Sequence, residues 1–332
     1  MSPRTLCLAL MVALTACRAA PAPSAAPDKP ELDHLKLTYA TAGGGQIFAR
    51  LAADNSLFRK YGLNVDVTYA QSNVSMAALV AGEVQLDLTA GVDTIQAMVS
   101  GAPLKLIAYF DKHSPYGIMS VPEIKQASEL KGRTIAVGKF GDTSHVALSI
   151  GLKQLGLDPT KDVKLLQTGN SPERWAALTS RQVQGAVVDV ETFSKLAQEQ
   201  GINVLLNMRD QPYVATAVVV QESFAKSNPK AVTAALRGLI DGVLFHADEK
   251  NKAAVLAAIA KELKSDPSDP QVQANYESVR NRLTTDPYPD KAGVQVILDA
   301  LKAIDSARYA SLSPDQIIDS TFMDSVRASA AI

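Results

Sequence analysis

The stretch ELKGRTIAVGKFGDTS, residues 129–144, is the part of the sequence that decides the predicted fold. Its centre, residues 133–137, is rich in β-branched residues and predicts a short strand, which Gly138 and Gly141 then interrupt. The Asp-Thr-Ser sequence of residues 142–144 is typical of a helix N-cap, and apolar residues at helical spacing follow it. The stretch therefore predicts a strand, a glycine loop and a helix in succession.

This arrangement has a chemical consequence. A glycine loop that enters a helix N-terminus points backbone N–H groups and the positive end of the helix dipole at whatever lies over the loop. Such a turn can receive a polar or anionic group but makes no covalent bond, so it favours binding over catalysis. An ordinary capped turn in a parallel sheet fits the same residues equally well.

Four short motifs occur in the order in which one protein family has them. Residues 129–137 are similar to the family's "DLKGK-x-IAV", and residues 81–87 (AGEVQLD) to its "GEVDI". Residues 101–108 (GAPLKLIA) resemble "GxPLKxVA", and residues 178–188 (LTSRQVQGAVV) resemble "ALxSGQVDA". The family comprises the substrate-binding proteins of nitrate/sulfonate/taurine ABC importers, and the resemblance covers roughly residues 35–220. It implies an α/β fold with two lobes, the type II periplasmic-binding-protein fold.

Strand and helix patterns alternate in both halves of the chain, which predicts mainly parallel sheets flanked by helices. The resemblance implies that two strands cross between the lobes and form a hinge, near residues 120–122 and 211–214. We therefore predict a discontinuous first lobe, residues 35–121 and 214–332, which includes the C-terminal helices. Residues 122–213 form the predicted second lobe.

The N-terminus has the pattern of an export signal. Residues 6–16 are an apolar core too short to span a bilayer as a mature helix, and Arg4 precedes them. The sequence Leu-Thr-Ala-Cys, ending at Cys17, resembles the lipobox of a bacterial lipoprotein, which predicts a signal peptide of residues 1–17 and a diacylated Cys17. A signal cleaved without lipidation is the alternative. The Ala/Pro-rich residues 18–34 predict an extended linker that holds a folded body near the membrane, in the periplasm or at the cell surface.

Composition excludes several classes of function. The chain has 33 basic and 34 acidic residues among 332, and it contains no basic run that would indicate nucleic-acid binding. The roughly 300 residues after the signal are more than a single hydrophobic core usually contains, which again favours two lobes. Removal of the signal would leave Cys17 as the sole cysteine, since Cys7 lies within the removed segment, so a disulfide within the chain is excluded.

The candidate ligand contacts come from loops that follow predicted strands, where ligands bind in open α/β sheets. They are Gly44, Gln46, Asn73, Gly91, Asp93, Lys139, Phe140, Thr143, Ser144, Trp175 and Asp189. Lys139 and Phe140 combine a cation with an aromatic ring, a pair suited to a carboxylate and a flat ring. Asp142 stands where the family often has Ser, and a carboxylate at a helix cap competes with an anion for the same N–H groups. This favours a small organic solute, such as a carboxylate or a heterocycle, over an inorganic anion.

No catalytic pattern is present in the sequence, which lacks Gly-x-Ser-x-Gly and His-Glu-x-x-His, and its four histidines have no metal-ligand spacing. We therefore expect no enzyme activity, cofactor or metal. The resemblance implies an ABC permease and its ATPase as partners of a monomeric receptor. Two alternatives stay open: an enzyme of the same fold acting on a pyrimidine or menaquinone precursor, and a tethered sensor that presents its ligand to a signalling partner.

Overall fold

Two five-stranded sheets organise the part of the chain that the computed structural model describes, residues 29–280 and 282–330. The strands are β1 (His34–Tyr39), β2 (Asn64–Tyr69), β3 (Leu86–Thr89), β4 (Leu104–His113), β5 (Tyr116–Ser120), β6 (Thr134–Val137), β7 (Lys164–Gln167), β8 (Gly185–Asp189), β9 (Asn203–Asn207) and β10 (Pro212–Gln221). The α-helices are α1 (Ile47–Asp54), α2 (Ser72–Ala81), α3 (Gly91–Val99), α4 (Thr143–Gln154), α5 (Ser171–Thr179), α6 (Val190–Gln200), α7 (Glu222–Ser227), α8 (Pro229–Ala247), α9 (Lys252–Leu263), α10 (Pro270–Arg280), α11 (Lys291–Ile304), α12 (Ser306–Tyr309), α13 (Pro314–Ile317) and α14 (Thr321–Ala330).

Each sheet contains one strand that runs antiparallel to its neighbours. The first sheet has the order β2-β1-β3-β10-β4, and the second has the order β7-β6-β8-β5-β9. Strands β1, β2 and β3 pair in parallel, with Leu37 opposite both Val67 and Leu86, whereas β10 runs antiparallel to β3 and β4. In the second sheet β5 runs antiparallel to β8 and β9. The antiparallel strand is in each case the one that the chain enters directly after crossing from the other sheet.

We call the first sheet with α1–α3 and α7–α14 the first lobe, and the second sheet with α4–α6 the second lobe. The chain crosses between them at residues 114–115 and at residues 208–211. The sequence analysis placed the first crossing near residues 120–122, after β5. Strand β5 instead belongs to the second sheet, because Ile118 pairs with Val187 of β8 on one side and Leu206 of β9 on the other.

Both faces of the first sheet are buried, because helices cover each of them. Side chains alternate along β10, so Val218 and Val220 pack into one apolar cluster while Val219 packs into the other. Each such fully buried aliphatic side chain stabilises the fold by roughly 1.5–3 kcal/mol. The near-continuous apolar sequence of β10 is thus the signature of a strand in the interior of its sheet.

The C-terminal helices pack on the first lobe. Helices α9 and α10 cover Ile47 and Leu51 of α1. After α10 the chain lies along the free edge of β4, where the Thr284 N–H donates to the Phe110 carbonyl at 3.0 Å and the Tyr109 N–H donates to the Pro287 carbonyl at 2.8 Å. This segment closes an edge that would otherwise present unpaired backbone groups.

The model confirms the predicted two-lobed α/β fold. Within the described residues no helix is both long and apolar enough to cross a membrane. The predicted signal peptide, the Cys17 anchor and most of the predicted linker lie outside the described residues.

Candidate functional site

A cavity of about 410 Å³ lies between the two lobes, where the carboxyl ends of the parallel strands face each other. Its first-lobe wall follows β1 and β3 and its second-lobe wall follows β6, β7 and β8, as expected for an open α/β sheet. The polar side chains that line it include Gln46, Asp93, Thr143, Arg174, Asp189 and Arg282. The N-terminal turns of α2, α3, α4, α5 and α6 all contribute lining residues, so the positive ends of five helices point towards one space.

The first-lobe wall is organised by Gln46 and Asp93. The Gln46 Oε1 atom accepts the N–H groups of Ala40 and Thr41, each at 2.8 Å, and so fixes the loop that follows β1. The Asp93 carboxylate accepts the Thr89 hydroxyl at 3.3 Å. Burial raises the pKa of Asp93, and the hydroxyls of Ser72 and Thr89 offset part of that effect. Asp93 is therefore an acceptor, or a donor when protonated, at the first-lobe side of the cavity.

The second-lobe wall contains a buried cation, Arg174, near the start of α5. Its Nε–H donates to the Val187 carbonyl at 2.5 Å, Nη1 donates to the Gly169 carbonyl at 2.5 Å, and Nη2 donates to the Ser171 hydroxyl at 3.0 Å. All three acceptors are neutral, and burial lowers the pKa of this guanidinium. Five N–H groups are available to an arginine, so this fixed side chain retains donors beside the cavity.

The helix ends of the second lobe are already capped by the chain itself. Asp142 accepts the His145 N–H at 2.9 Å and the Ser144 hydroxyl at 2.7 Å at the start of α4. Asp189 accepts the Thr192 N–H at 2.8 Å at the start of α6. These carboxylates satisfy backbone donors that an inorganic anion would otherwise use. The donors left for a ligand on this wall are thus side chains, chiefly Arg174 and Thr143.

Tyrosine rings and a second arginine form the part of the cavity next to the crossings. Tyr116 stands beside Arg174, whose guanidinium carbon is 5.9 Å from the ring centroid, and burial raises the pKa of Tyr116 to about 12. The Tyr213 hydroxyl is buried and has no hydrogen-bond partner within the described part of the chain. Arg282 lies between two acids, with Nε 3.5 Å from Asp111 Oδ2. Its second acidic neighbour is Glu191 of the second lobe.

The model brings four of the predicted contacts to this cavity, namely Gln46, Asp93, Thr143 and Asp189. Gly44 begins the short 3-10 helix Gly44–Gln46, and its neighbour Gly45 is the glycine that lines the cavity. Asn73 is exposed on α2 and does not line the cavity. Gly91 is buried under Val214, where an added Cβ would approach the Val214 Cβ to 2.8 Å, so a close helix–strand approach explains this glycine.

Lys139, Phe140 and Ser144 lie around the loop before α4 without lining the cavity. Lys139 is exposed, and its N–H donates to Asp142 at 2.7 Å. Phe140 is 59% exposed. The Ser144 hydroxyl is buried within the loop, where it accepts the Gly138 N–H at 2.7 Å and donates to Asp142. The hydroxyl of Ser144 therefore holds the loop itself.

Trp175 packs in the core of the second lobe. Its ring stacks on Phe193 with the centroids 5.0 Å apart, and the residue is 9% exposed. Its sequence neighbour Arg174 is a cavity residue that the sequence analysis missed, as are Tyr116, Tyr213 and Arg282. No local signal distinguishes Arg174, because its role depends on carbonyls of β8 and of the loop before α5.

The described residues, 29–280 and 282–330, contain no cluster of three or more His, Cys, Asp or Glu side chains able to hold a metal ion. The cavity offers hydrogen-bonding groups and charges: one fixed cation in the second lobe, carboxylates in both lobes, and aromatic rings near the crossings. A two-lobed fold with a polar interlobe cavity defines the class of periplasmic solute-binding folds.

The comparisons with known proteins agree with this class. The model of the NMT1/THI5-like family matches residues 47–253, more than half of the chain, and the chain belongs to that family. No curated protein sequence matches the chain.

Solved structures with the same fold include two sulfonate-binding proteins. The putative periplasmic sulfonate-binding protein SsuA of Methylobacillus flagellatus KT is 20% identical, with 90% of this chain and 95% of that chain covered and a TM-score of 0.70. The periplasmic aliphatic sulphonate binding protein SsuA of Escherichia coli is 21% identical, with 86% and 90% covered and a TM-score of 0.66. The periplasmic nitrate-binding protein NrtA of Synechocystis PCC 6803 is 14% identical, with 91% and 90% covered and a TM-score of 0.63.

Proposed function

We propose that this protein is an extracytoplasmic solute-binding lipoprotein that captures a small organic solute between its lobes and delivers it to an ABC importer. The observation that carries the proposal is the interlobe cavity, to which both lobes contribute polar side chains from the starts of their helices. A solute held there contacts both lobes at once. Such a solute stabilises a closed form that gains contacts the open form lacks.

The chemistry of the cavity favours an organic solute with an anionic or strongly accepting group. Arg174 offers donors and a charge that no carboxylate within the described residues compensates at hydrogen-bond distance, so a carboxylate or similar group is its natural partner. Sulfonate and nitrate, the ligands by which the structurally similar proteins are named, are also anionic. The rings of Tyr116 and Tyr213 suit an apolar or heterocyclic body, and a volume of about 410 Å³ fits a small organic molecule.

We propose Gln46, Asp93, Thr143 and Asp189 as the remaining contacts. Gln46 and Asp93 belong to the first lobe, and Thr143 and Asp189 to the second, so each lobe supplies part of the recognition. The protein binds its solute without converting it, and the permease reads the closed form while the ATPase supplies the energy.

The binding proposal is tested with two arginines of the second lobe, Arg174 near the start of α5 and Arg181 just after its end. A thermal-shift screen of small carboxylates, sulfonates and heterocycles identifies a stabilising solute, because a ligand that binds the folded state alone raises its stability. Titration calorimetry then compares Arg174→Gln with Arg181→Gln, an exposed arginine paired with Glu123. Loss of a hydrogen bond to a charged group costs about 1.5–3 kcal/mol, so Arg174→Gln should weaken binding roughly 10- to 150-fold.

Equal affinities in both variants would remove Arg174 from the site. Consumption of the solute that survives stringent purification and disappears in Arg174→Gln would instead identify an enzyme. The anchor is tested separately by replacing Cys17 with Ser and fractionating the cells. We expect the variant to leave the membrane fraction, and persistent membrane association would refute lipidation at Cys17.

A further inference from the structure

Four charged side chains form a cluster where the lobes meet beside the cavity, and three of them, Asp111, Glu191 and Arg282, are largely buried. Arg282 Nε lies 3.5 Å from Asp111 Oδ2, and Arg282 Nη1 lies 3.7 Å from Glu191 Oε2. Arg209 Nη1 lies 3.3 Å from Glu191 Oε1. The side chains of Asp111, Glu191 and Arg282 are 4%, 13% and 9% exposed, so water screens their charges poorly.

The cluster joins the two lobes. Asp111 lies on β4 of the first lobe, and Arg282 is held beside it because the next segment is bonded to the β4 edge through Thr284 and Phe110. Glu191 lies in the first turn of α6, in the second lobe. Arg209 belongs to the second crossing. The contact between Arg282 and Glu191 therefore spans the cleft, whereas the contact between Arg282 and Asp111 lies within the first lobe.

The geometry is that of ion pairs that are not yet hydrogen bonded. Both carboxylate oxygens of Glu191, and the Nε and Nη1 atoms of Arg282, are buried without a hydrogen-bond partner among the described residues. Charge-assisted N–H···O bonds are about 2.7–2.9 Å long, so an approach of less than about 1 Å would form them. A closing motion that brought α6 nearer to Arg282 would form these bonds, and an opening motion would separate the two charges.

We propose that the Arg282–Glu191 pair is an interlobe ionic bridge that favours the closed arrangement and sets the balance of open and closed forms before any solute binds. The inference rests on the proposed solute-binding function, but it concerns the protein without a bound solute. Arg282 is a positioning residue in this role, since it holds the second lobe through Glu191. Removal of either charge takes the interlobe ion pair from the closed form and leaves Arg282 with Asp111 alone, or Glu191 with Arg209 alone, which penalises the closed form selectively.

The other contacts between the lobes are of a different kind. Gln96 of α3 donates its side-chain N–H to the Gly141 carbonyl in the loop before α4. Val146 and Ile150 of α4 pack in the same apolar cluster as Val294 of α11. These contacts carry no net charge, so a charge-neutralising substitution at position 191 leaves them in place and isolates the ionic bridge.

The test measures the distance between the lobes without a solute. Spin labels are placed on Val74→Cys of α2 and Ala176→Cys of α5, both exposed, in a full-length chain with Cys7 and Cys17 replaced by Ser. Pulsed electron–electron double resonance then gives the distribution of distances between the two spin labels. We compare Glu191→Gln, Arg282→Gln and the double variant with Glu123→Gln, which removes an exposed carboxylate paired within the second lobe.

We expect Glu191→Gln and Arg282→Gln each to lower the ratio of closed to open molecules about tenfold, or about 1.4 kcal/mol. The double variant should show less than the sum of the two effects, because the single variants remove the same interaction. Glu123→Gln should match the unsubstituted protein. If a glutamine variant fails to fold, Arg282→Lys keeps the charge without the planar fork and should give a smaller shift in the same direction.

Unchanged distance distributions in the folded variants, or fully additive shifts, would overturn the ionic bridge. That outcome would leave the solute-binding proposal intact, since binding is tested through Arg174 at a different wall of the cavity. Conversely, a shift in distances with no solute found would support the bridge while the proposed function failed.

Discussion

The pH dependence of stability provides a sharp test of the buried polar interior of the first lobe, through Asp87 of β3. This carboxyl is fully buried and accepts the Thr38 hydroxyl at 2.9 Å and the Ser75 hydroxyl at 3.1 Å. Burial raises the pKa of Asp87 from 3.8 to about 7, although both hydroxyls lower it in part. We predict that Asp87→Asn, which resembles the protonated acid, stabilises the protein at high pH.

The magnitude follows from the two pKa values. The unfolded chain releases the proton of Asp87 near pH 4 and the folded chain near pH 7, a difference of about 3 units. At about 1.4 kcal/mol per unit, the free energy of unfolding falls by at most about 4 kcal/mol as the pH rises through this window. Below pH 4 both states hold the proton and the penalty vanishes. Above pH 7 the free energy of unfolding is lower by the full amount.

Urea unfolding at pH 4.5, 6 and 8 measures this effect. Asp87→Asn should unfold at nearly the same urea concentration as the unsubstituted protein at pH 4.5, and at a clearly higher concentration at pH 8. Glu83→Gln, an exposed carboxylate in the turn before β3, is the matched loss of one negative charge and should show no such trend. A constant difference between Asp87→Asn and the unsubstituted protein across this range would refute the raised pKa.

Three further substitutions separate binding from folding. Thr143→Ala removes a hydroxyl that lines the cavity and should weaken solute binding about two- to tenfold in calorimetry, with an unchanged melting temperature. Ser144→Ala leaves the buried Gly138 N–H without its acceptor and should lower the free energy of unfolding, measured in urea, by about 1–3 kcal/mol. A urea unfolding curve identical to that of Thr143→Ala would contradict this role. Trp175→Ala should cost about 3–5 kcal/mol of stability, and Trp175→Phe clearly less; thermal melts that show equal loss would argue against core packing.

The local elements were predictable because their signals are local. The β-branched run of β6, the glycines after it and the cap of α4 lie within residues 129–144, and the model forms that strand and helix from them. The pairing of β5 was not predictable in this way. Its short apolar sequence fits either sheet, and its position depends on β8 and β9, which follow it by more than 60 residues.

The candidate site was predictable to the level of loops. The loops after the parallel strands do meet at the cavity, because parallel strands place their carboxyl ends at one edge. The choice of side chain within each loop depends on contacts that sequence spacing does not encode. Arg174 and Trp175 are adjacent, yet one reaches the cavity edge and the other the core, and Arg282 meets Glu191 across 91 positions of the chain.

The central position of β10 in the first sheet has a consequence for the order of folding. Leu88 of β3 pairs with Val218 of β10, so the sheet is incomplete until the chain has been made to residue 221, after the whole second lobe. The second sheet, by contrast, draws all its strands from residues 116–207 and can assemble without waiting for later sequence. Contacts so distant in sequence slow folding, because a long loop must close before they form. A chain emerging from the ribosome thus carries an unfinished first lobe for more than a hundred residues after β3 is made.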